Sequence, residues 1–390
     1  MKYQQSLKAL LPCLVVLFLC LPASASVTLY DKEGTTFSTD GSFNTFYVYS
    51  SSENEIAGTE RDQSRIKMGF LPNWIGFNFS KQVNGLKLGG RSSFWVTIND
   101  SDTTGGPERT YVTETGIDVR QFYGTVDAKW GQVLIGKDFS LFSRSNIFLD
   151  EILLGYGNVS DTLGLIDGKG VSFGNIGTGY LYPTPTAQIT YRTPDLGGFK
   201  LAVGLLDPSR TSGGGGEESA PRFEGELTYS HSIGKGSLTA WTGFLYQSSE
   251  TTTGVEVDSK GIAYGLQAKL AGISLTASGF DGSGLGLLLG PGGDTGLGLP
   301  FFYENGDEVD SNGYLLQGSY TYGPAKVALS YGKNELDLAT KWENETATGA
   351  VFFAVNSNLK LVAEYNVNTI SIGTPEEETK TVALGGIINF

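Results

Sequence analysis

What most constrains this chain is a repeated alternation of apolar and polar side chains, each stretch stopped by a turn. In LKLVAEYNVNT, Leu361, Ala363, Tyr365 and Val367 share one face, and Lys360, Val362, Glu364, Asn366 and Asn368 share the other. In RFEGELTYS, Phe223, Gly225, Leu227 and Tyr229 stand opposite Arg222, Glu224, Glu226 and Thr228. The stretch TVALGGIINF sorts Val382, Leu384, Gly386, Ile388 and Phe390 together in the same way. A period of two marks a strand. The stretches pair through very short connections that read as hairpin turns: QVNG (82–85), KWG (129–131), PDLGG (194–198), IGKG (233–236), AG (271–272), YGPA (322–325) and NSN (356–358). Longer segments separate the pairs, near 53–64, 100–115, 139–185, 209–220, 249–258, 281–311, 336–342 and 371–378. Seven turns and eight loops join sixteen strands.

Short connections at one end, long ones at the other and an even strand count predict an all-β fold. Its form is a sixteen-stranded antiparallel transmembrane β-barrel with short periplasmic turns and long extracellular loops. A charge facing lipid costs about 2–4 kcal/mol at the bilayer midplane, so Lys360, Glu364, Arg222, Glu224 and Glu226 must face inward. An interior this polar reads as a wet channel lining, because unpaired buried ions are costly. Glycine at 55 of 390 residues and aromatics at 12% fit a β-rich chain with many tight turns. The mean hydropathy of -0.09 resembles that of a soluble protein, but alternation hides a lipid face from such an average. Pro72 alone interrupts a strand-like stretch, and the apolar parity shifts there from Ile66, Met68 and Phe70 to Ile75, Phe77 and Phe79, so a bulge or loop end is expected.

At the N-terminus, Lys2 and Lys8 precede an apolar run from Ala9 to Leu21 and the small residues Ala23, Ser24 and Ala25. That is the layout of a secretory signal. Residues 1–26 are therefore expected to be a signal peptide and 27–390 a single barrel domain of the outer membrane. Both cysteines, Cys13 and Cys20, fall within the signal. Removing two lysines and no acids takes the net charge from -14 to -16, which argues against a nucleic-acid partner. Enzyme readings lack residues: His231 is the only histidine and sits beside a short turn, and GLGLLLG (284–290) has the wrong spacing for a phosphate loop. The glycines of GLGLLLG predict a flexible loop.

Four stretches, in this order, resemble the corresponding segments of Gram-negative general porins: VTLYDKEGTTFSTDGSFNTFYVYS (27–50), VRQFYGTVDAKWGQVLIGKD (119–138), ITYRTPDLGGFKLAVGL (189–205) and TVALGGIINF. The resemblance implies a homotrimer of barrels without cofactor. Each would be a passive diffusion pore for ions and small hydrophilic solutes, with the third loop folded inward as a constriction. In that family acids on the loop face basic residues on the wall, and the resulting field orients dipolar solutes. Here the third loop, 139–185, offers Asp150, Glu151, Asp161 and Asp167. On the wall, Arg120 matches the family's arginine and Arg91 lies on the inward parity with Lys87 and Ser93. Lys137 stands where an arginine is common before the loop, and Arg65 or Lys67 could supply the charge missing at Trp74. The resemblance assigns Phe390 to the signal read by the barrel insertion machinery.

Two departures weaken the expected basic wall: NWIGFNF carries Trp74 where many family members have an arginine, and FSTDG stands where a lysine is common; the loop also has no PEFGG-type tip. The other loops read as acidic, with Glu53, Glu55, Glu60 and Asp62 in the first, Glu304, Asp307, Glu308 and Asp310 in the sixth, and Glu376, Glu377 and Glu378 in the eighth. These predict a hydrated mouth, bridged to lipopolysaccharide by divalent ions, and a mild cation preference. The competing readings are a substrate-preferring porin, for a sugar or an anion such as phosphate, and an adhesin or structural barrel with a plugged lumen.

Overall fold

The wall closes on the strand Thr35–Asn54. One of its edges pairs with Thr59–Lys67 and then Asn73–Val83, and the other with Glu376–Asn389 and Val27–Lys32. Each flanking pair is one stave in two pieces, and every other stave pairs with its sequence neighbour. The result is a closed sixteen-stranded antiparallel barrel, as the alternation predicts. This computed structural model describes residues 26–96, 98, 117–157, 178–211, 216–289 and 302–390. Residues 1–25 of the expected signal peptide and the loop acids Asp161 and Asp167 lie outside the described residues.

All seven predicted turns connect strands at one end of the barrel. The AG turn shows why they are so short. Ala271 at φ 50 and Gly272 at φ 86 are both left-handed, and such turns match the twist of the flanking strands. An eighth tight turn, Glu33–Gly34, divides a segment expected to be one strand.

The loop end differs more from expectation. The strand pair Thr35–Asn54 and Thr59–Lys67 carries pairing through Glu53↔Glu60 and Ser51↔Asp62, where a loop at 53–64 was expected. Likewise Glu376, Glu377 and Glu378 pair with Ser371, Ile370 and Thr369 and belong to a strand. These staves rise beyond the apolar band, where an outer face has no lipid to meet and the alternation that announces a strand fades.

Facing follows the alternation. Leu361, Tyr365, Phe223 and Leu227 are exposed on the outside, while Glu224, Glu226 and Glu364 point inward. Those inward acids are almost fully buried, which corrects their reading as a water-facing lining. Three apolar clusters explain the burial. Ile152 and Tyr156 of the third loop pack on Phe46, Val48, Ala350 and Val362 of the wall. Phe142 and Leu181 meet Leu245, Phe280 and Trp342 in a second cluster. Leu285, Leu287 and Leu288 are buried in a 3-10 turn, Leu285–Leu289, so this part of GLGLLLG is packed where flexibility was expected. The third cluster gathers Trp74 and Trp95 with loop residues Ile147, Leu153, Tyr180 and Tyr182, and reaches Leu315.

The expected irregularity at Pro72 is a break of residues 68–72 between two strands, with Met68 and Phe70 buried. Its freed backbone groups find partners: Phe70 N donates to Gly155 O at 2.9 Å, Gly69 N to Asn44 Oδ1 at 2.6 Å, and Asn44 Nδ2 to Leu71 O at 2.9 Å. Buried amides need such partners, so the third loop and this break hold each other in place.

Candidate functional site

The third connection runs from Ser140 to Thr184 between the strands Gly131–Phe139 and Pro185–Arg192, close to the predicted 139–185. Its described residues, 140–157 and 178–184, run against the inner wall. Glu224 accepts from Leu141 N and Phe142 N at 2.7 and 2.9 Å, and Glu226 from Ser145 N at 3.0 Å. Farther along, Glu364 accepts from Tyr156 N and Gly157 N at 2.9 and 2.8 Å. The wall carboxylates thus take up loop amides that no strand or helix satisfies. Glu224 is also paired with Arg222 at 2.8 Å, so the buried charge there has a partner.

The described loop acids, Asp150 and Glu151, do not face the predicted basic wall. Asp150 is buried and accepts from Gln317 Nε2 at 2.6 Å, the Tyr180 hydroxyl at 2.9 Å and Ile152 N at 2.9 Å. Burial pushes its carboxyl up, against these donors. Glu151 reaches the opposite wall, where Lys326 Nζ approaches Oε2 at 2.6 Å and Ser319 donates to Oε2 at 2.9 Å, while Gln267 and Ser274 donate to Oε1. Burial works to raise the Glu151 carboxyl, but Lys326 and the hydroxyls together hold it below the ordinary value. Both acids fasten the loop.

The predicted basic residues divide. Arg120 is fully buried on the inner wall, and a bulge puts it there. Ser93 pairs with Gln121 and Phe94 with Val119, so Arg120 is the extra residue, and it faces inward beside Gln121. Its Nε donates to Asp118 at 2.9 Å, its Nη1 to the Tyr182 hydroxyl at 3.0 Å, and its guanidinium lies 4.9 Å from the Trp95 ring centroid. Arg91 also points inward, and Asp40 of FSTDG neutralises it at 2.9 Å. Arg65 takes the inward parity opposite Val48. Lys137 does not line the lumen: it pairs with Phe122 and shares the outer face with the exposed Ile135.

Two arginines absent from the predicted set complete the cluster. Arg91 Nε donates to Gln121 Oε1 at 2.8 Å, and Gln121 Nε2 donates to Asp138 Oδ1 at 2.9 Å. Asp138 Oδ2 then lies 3.3 Å from Arg144 Nη1 and 3.9 Å from Arg192 Nη2. Arg144 comes from the short loop helix Arg144–Phe148, so the loop brings positive charge to this wall where negative charge was expected. Among the described residues, Nε of Arg144, and Nε and Nη2 of Arg192, make no hydrogen bond, and the Arg192 side chain keeps 28% of its exposure. Arg192 was legible in YRTPDLGG, on the inward parity with Gln188 and Thr190. Arg144 had no sequence signal, since loop residues carry no parity.

A closed antiparallel barrel with a connection folded into its lumen is an outer-membrane channel of the porin class. The chain belongs to the Gram-negative porin family, whose sequence profile matches residues 13–371. That family and its fold are those of channels rather than enzymes. Solved structures share the fold at low identity. An anion-selective porin from Comamonas acidovorans is 17% identical, covering 91% of this chain and 100% of that one, with a TM-score of 0.64. The outer membrane channel DcaP of Acinetobacter baumannii is 17% identical over 92% and 99%, with a TM-score of 0.67. The trimer form of OmpT, an outer membrane protein of Vibrio cholerae, is 14% identical over 92% and 100%, with a TM-score of 0.54. No curated protein sequence matches the chain.

Proposed function

We propose that this porin is a passive, cofactor-free diffusion pore that lets ions and small hydrophilic solutes cross the outer membrane, and that it works as a homotrimer after loss of residues 1–26. The observation that carries the reading is the wall-fastened third loop, which narrows the barrel and presents Arg144 beside Arg192 and Arg91. Lipopolysaccharide around the rim and the insertion machinery acting on Phe390 are the partners this reading implies.

Charge preference sets two groups against each other. The rim acids Glu53, Glu60, Asp62, Glu376 and Glu378 would draw cations, as expected from the sequence. The unfilled arginine donors lie inside, where solvent screens less, and favour anions. A mild anion preference follows from the second group. Reversal potentials across a salt gradient decide between them. The third apolar cluster, reaching from Trp95 through the loop to Leu315, favours a different reading, a barrel whose lumen is plugged. Single-channel recording tests that: a plugged barrel gives no conductance, and a diffusion pore gives steps that scale with salt.

A further inference from the structure

Toward the turn end of the barrel, a cavity of about 490 Å³ opens between five staves and the third loop. It is a basic pocket in an acidic protein. Lys235, Lys269 and Lys326 line it together with Ser237, Ser319 and Thr321. Lys326 already holds a carboxylate, that of Glu151, with Ser319 and Ser274 supplying hydroxyl donors. The wall's own donor set therefore shows which ligand chemistry it accepts. Lys235 and Lys269 make no hydrogen bond or ion pair among the described residues; Ser237 is the cross-strand neighbour of Lys269 and Thr321 that of Lys326, and both line the same cavity.

We propose that this pocket is an anion subsite for small multivalent carboxylates or phosphates, separate from the arginine cluster around Asp138. An ammonium pair without counter-charge, flanked by hydroxyls and enclosed on one side by the low-dielectric wall, concentrates oxyanions. The cavity volume falls in the range of small-molecule sites, so it admits a tricarboxylate or a sugar phosphate. Glu151 at its inner edge occupies Lys326, which leaves Lys235 and Lys269 as the groups a solute would meet. The inference deepens the reading of the lumen as a solute path and rests on it for its meaning, but binding itself can be measured without an open channel.

The experiment is isothermal titration of citrate, and separately of inorganic phosphate, into the detergent-solubilised protein. Citrate binding that weakens at least tenfold in Lys235→Gln/Lys269→Gln, and persists in Arg144→Gln/Arg192→Gln, supports the subsite. Phosphate binding with the same pattern extends it to both oxyanions, whereas citrate alone restricts it to carboxylates. Loss of binding in the arginine variant with retention in the lysine variant would place the anion at Asp138 and overturn the proposal. So would absence of citrate binding by the unaltered protein. Circular dichroism of each variant establishes that its barrel is folded. A separate bilayer recording in chloride keeps the two readings apart: no conductance with intact citrate binding sinks the diffusion pore and leaves the subsite standing.

Discussion

The ring of Phe390 lies directly over Gly41, at the seam where the first full stave meets the last. The two residues exchange backbone hydrogen bonds at 2.9 and 3.0 Å, and Phe390 stacks on Phe43 at 5.7 Å between centroids. A Cβ on Gly41 would come 2.5 Å from two atoms of that ring and 2.9 Å from Trp74 O. Glycine at 41 is therefore what lets the terminal aromatic fold back on the wall. Gly41→Ala is expected to destabilise the barrel by about 1–3 kcal/mol. Shortening the ring in Gly41→Ala/Phe390→Leu should recover much of that loss, a coupling readable in a double-mutant cycle of urea unfolding. Strictly additive effects would mean that the seam does not depend on this contact.

Glu364 serves the third loop more than the solute. Glu364→Ala leaves the amides of Tyr156 and Gly157 without their acceptor, at a cost of about 1–3 kcal/mol for each buried donor. Glu364→Gln keeps one carbonyl oxygen and should cost less. Limited proteolysis within the third loop, faster in the alanine variant than in the glutamine variant and fastest relative to unaltered protein, is the expected result.

The Glu151 tether should loosen in acid. Its carboxyl is held below the ordinary value of about 4.3, so its contribution is complete above that pH and disappears as the pH falls through the lowered value. Asp150 behaves in the opposite sense, since burial raises its carboxyl and acid therefore does not weaken its contribution. Loop protease susceptibility should therefore rise steeply only once the pH falls below the ordinary glutamate range. In Glu151→Gln it should already be raised at neutral pH and change little with acid.

Charge reversal at the arginine cluster tests the selectivity. Arg144→Glu and Arg192→Glu should each move the reversal potential toward cation preference, and the double variant should invert it. Lys137→Glu, on the outer face, should leave it unchanged, although sequence reasoning placed that lysine in the constriction.

Ala271 holds φ 50 in its turn, a conformation that costs an L residue about 1–2 kcal/mol. Ala271→Gly relieves that strain but enlarges the freedom of the unfolded chain, so the net gain should stay under about 1 kcal/mol in urea unfolding.

The alternation of Leu361, Tyr365, Phe223 and Leu227 with polar neighbours, and turns such as Ala271–Gly272, determined the barrel, its strand count and which side chains face lipid. They could do so because a strand in a bilayer has one period and one permitted facing for each side chain. The same alternation turned Arg91 and Arg192 inward, but it could not say what they would meet. That was decided by tertiary structure. Where Asp150, Glu151 and Arg144 settle depends on which wall groups, Lys326, Gln317, Glu226 or Asp138, the third loop passes on its way across the lumen, and a loop has no periodicity to record its path. The bulge that swings Arg120 inward, the carboxylates that grip the loop and the break at Pro72 that meets Gly155 all arise from contacts between residues far apart in the chain. Only the closed barrel brings them within hydrogen-bonding distance.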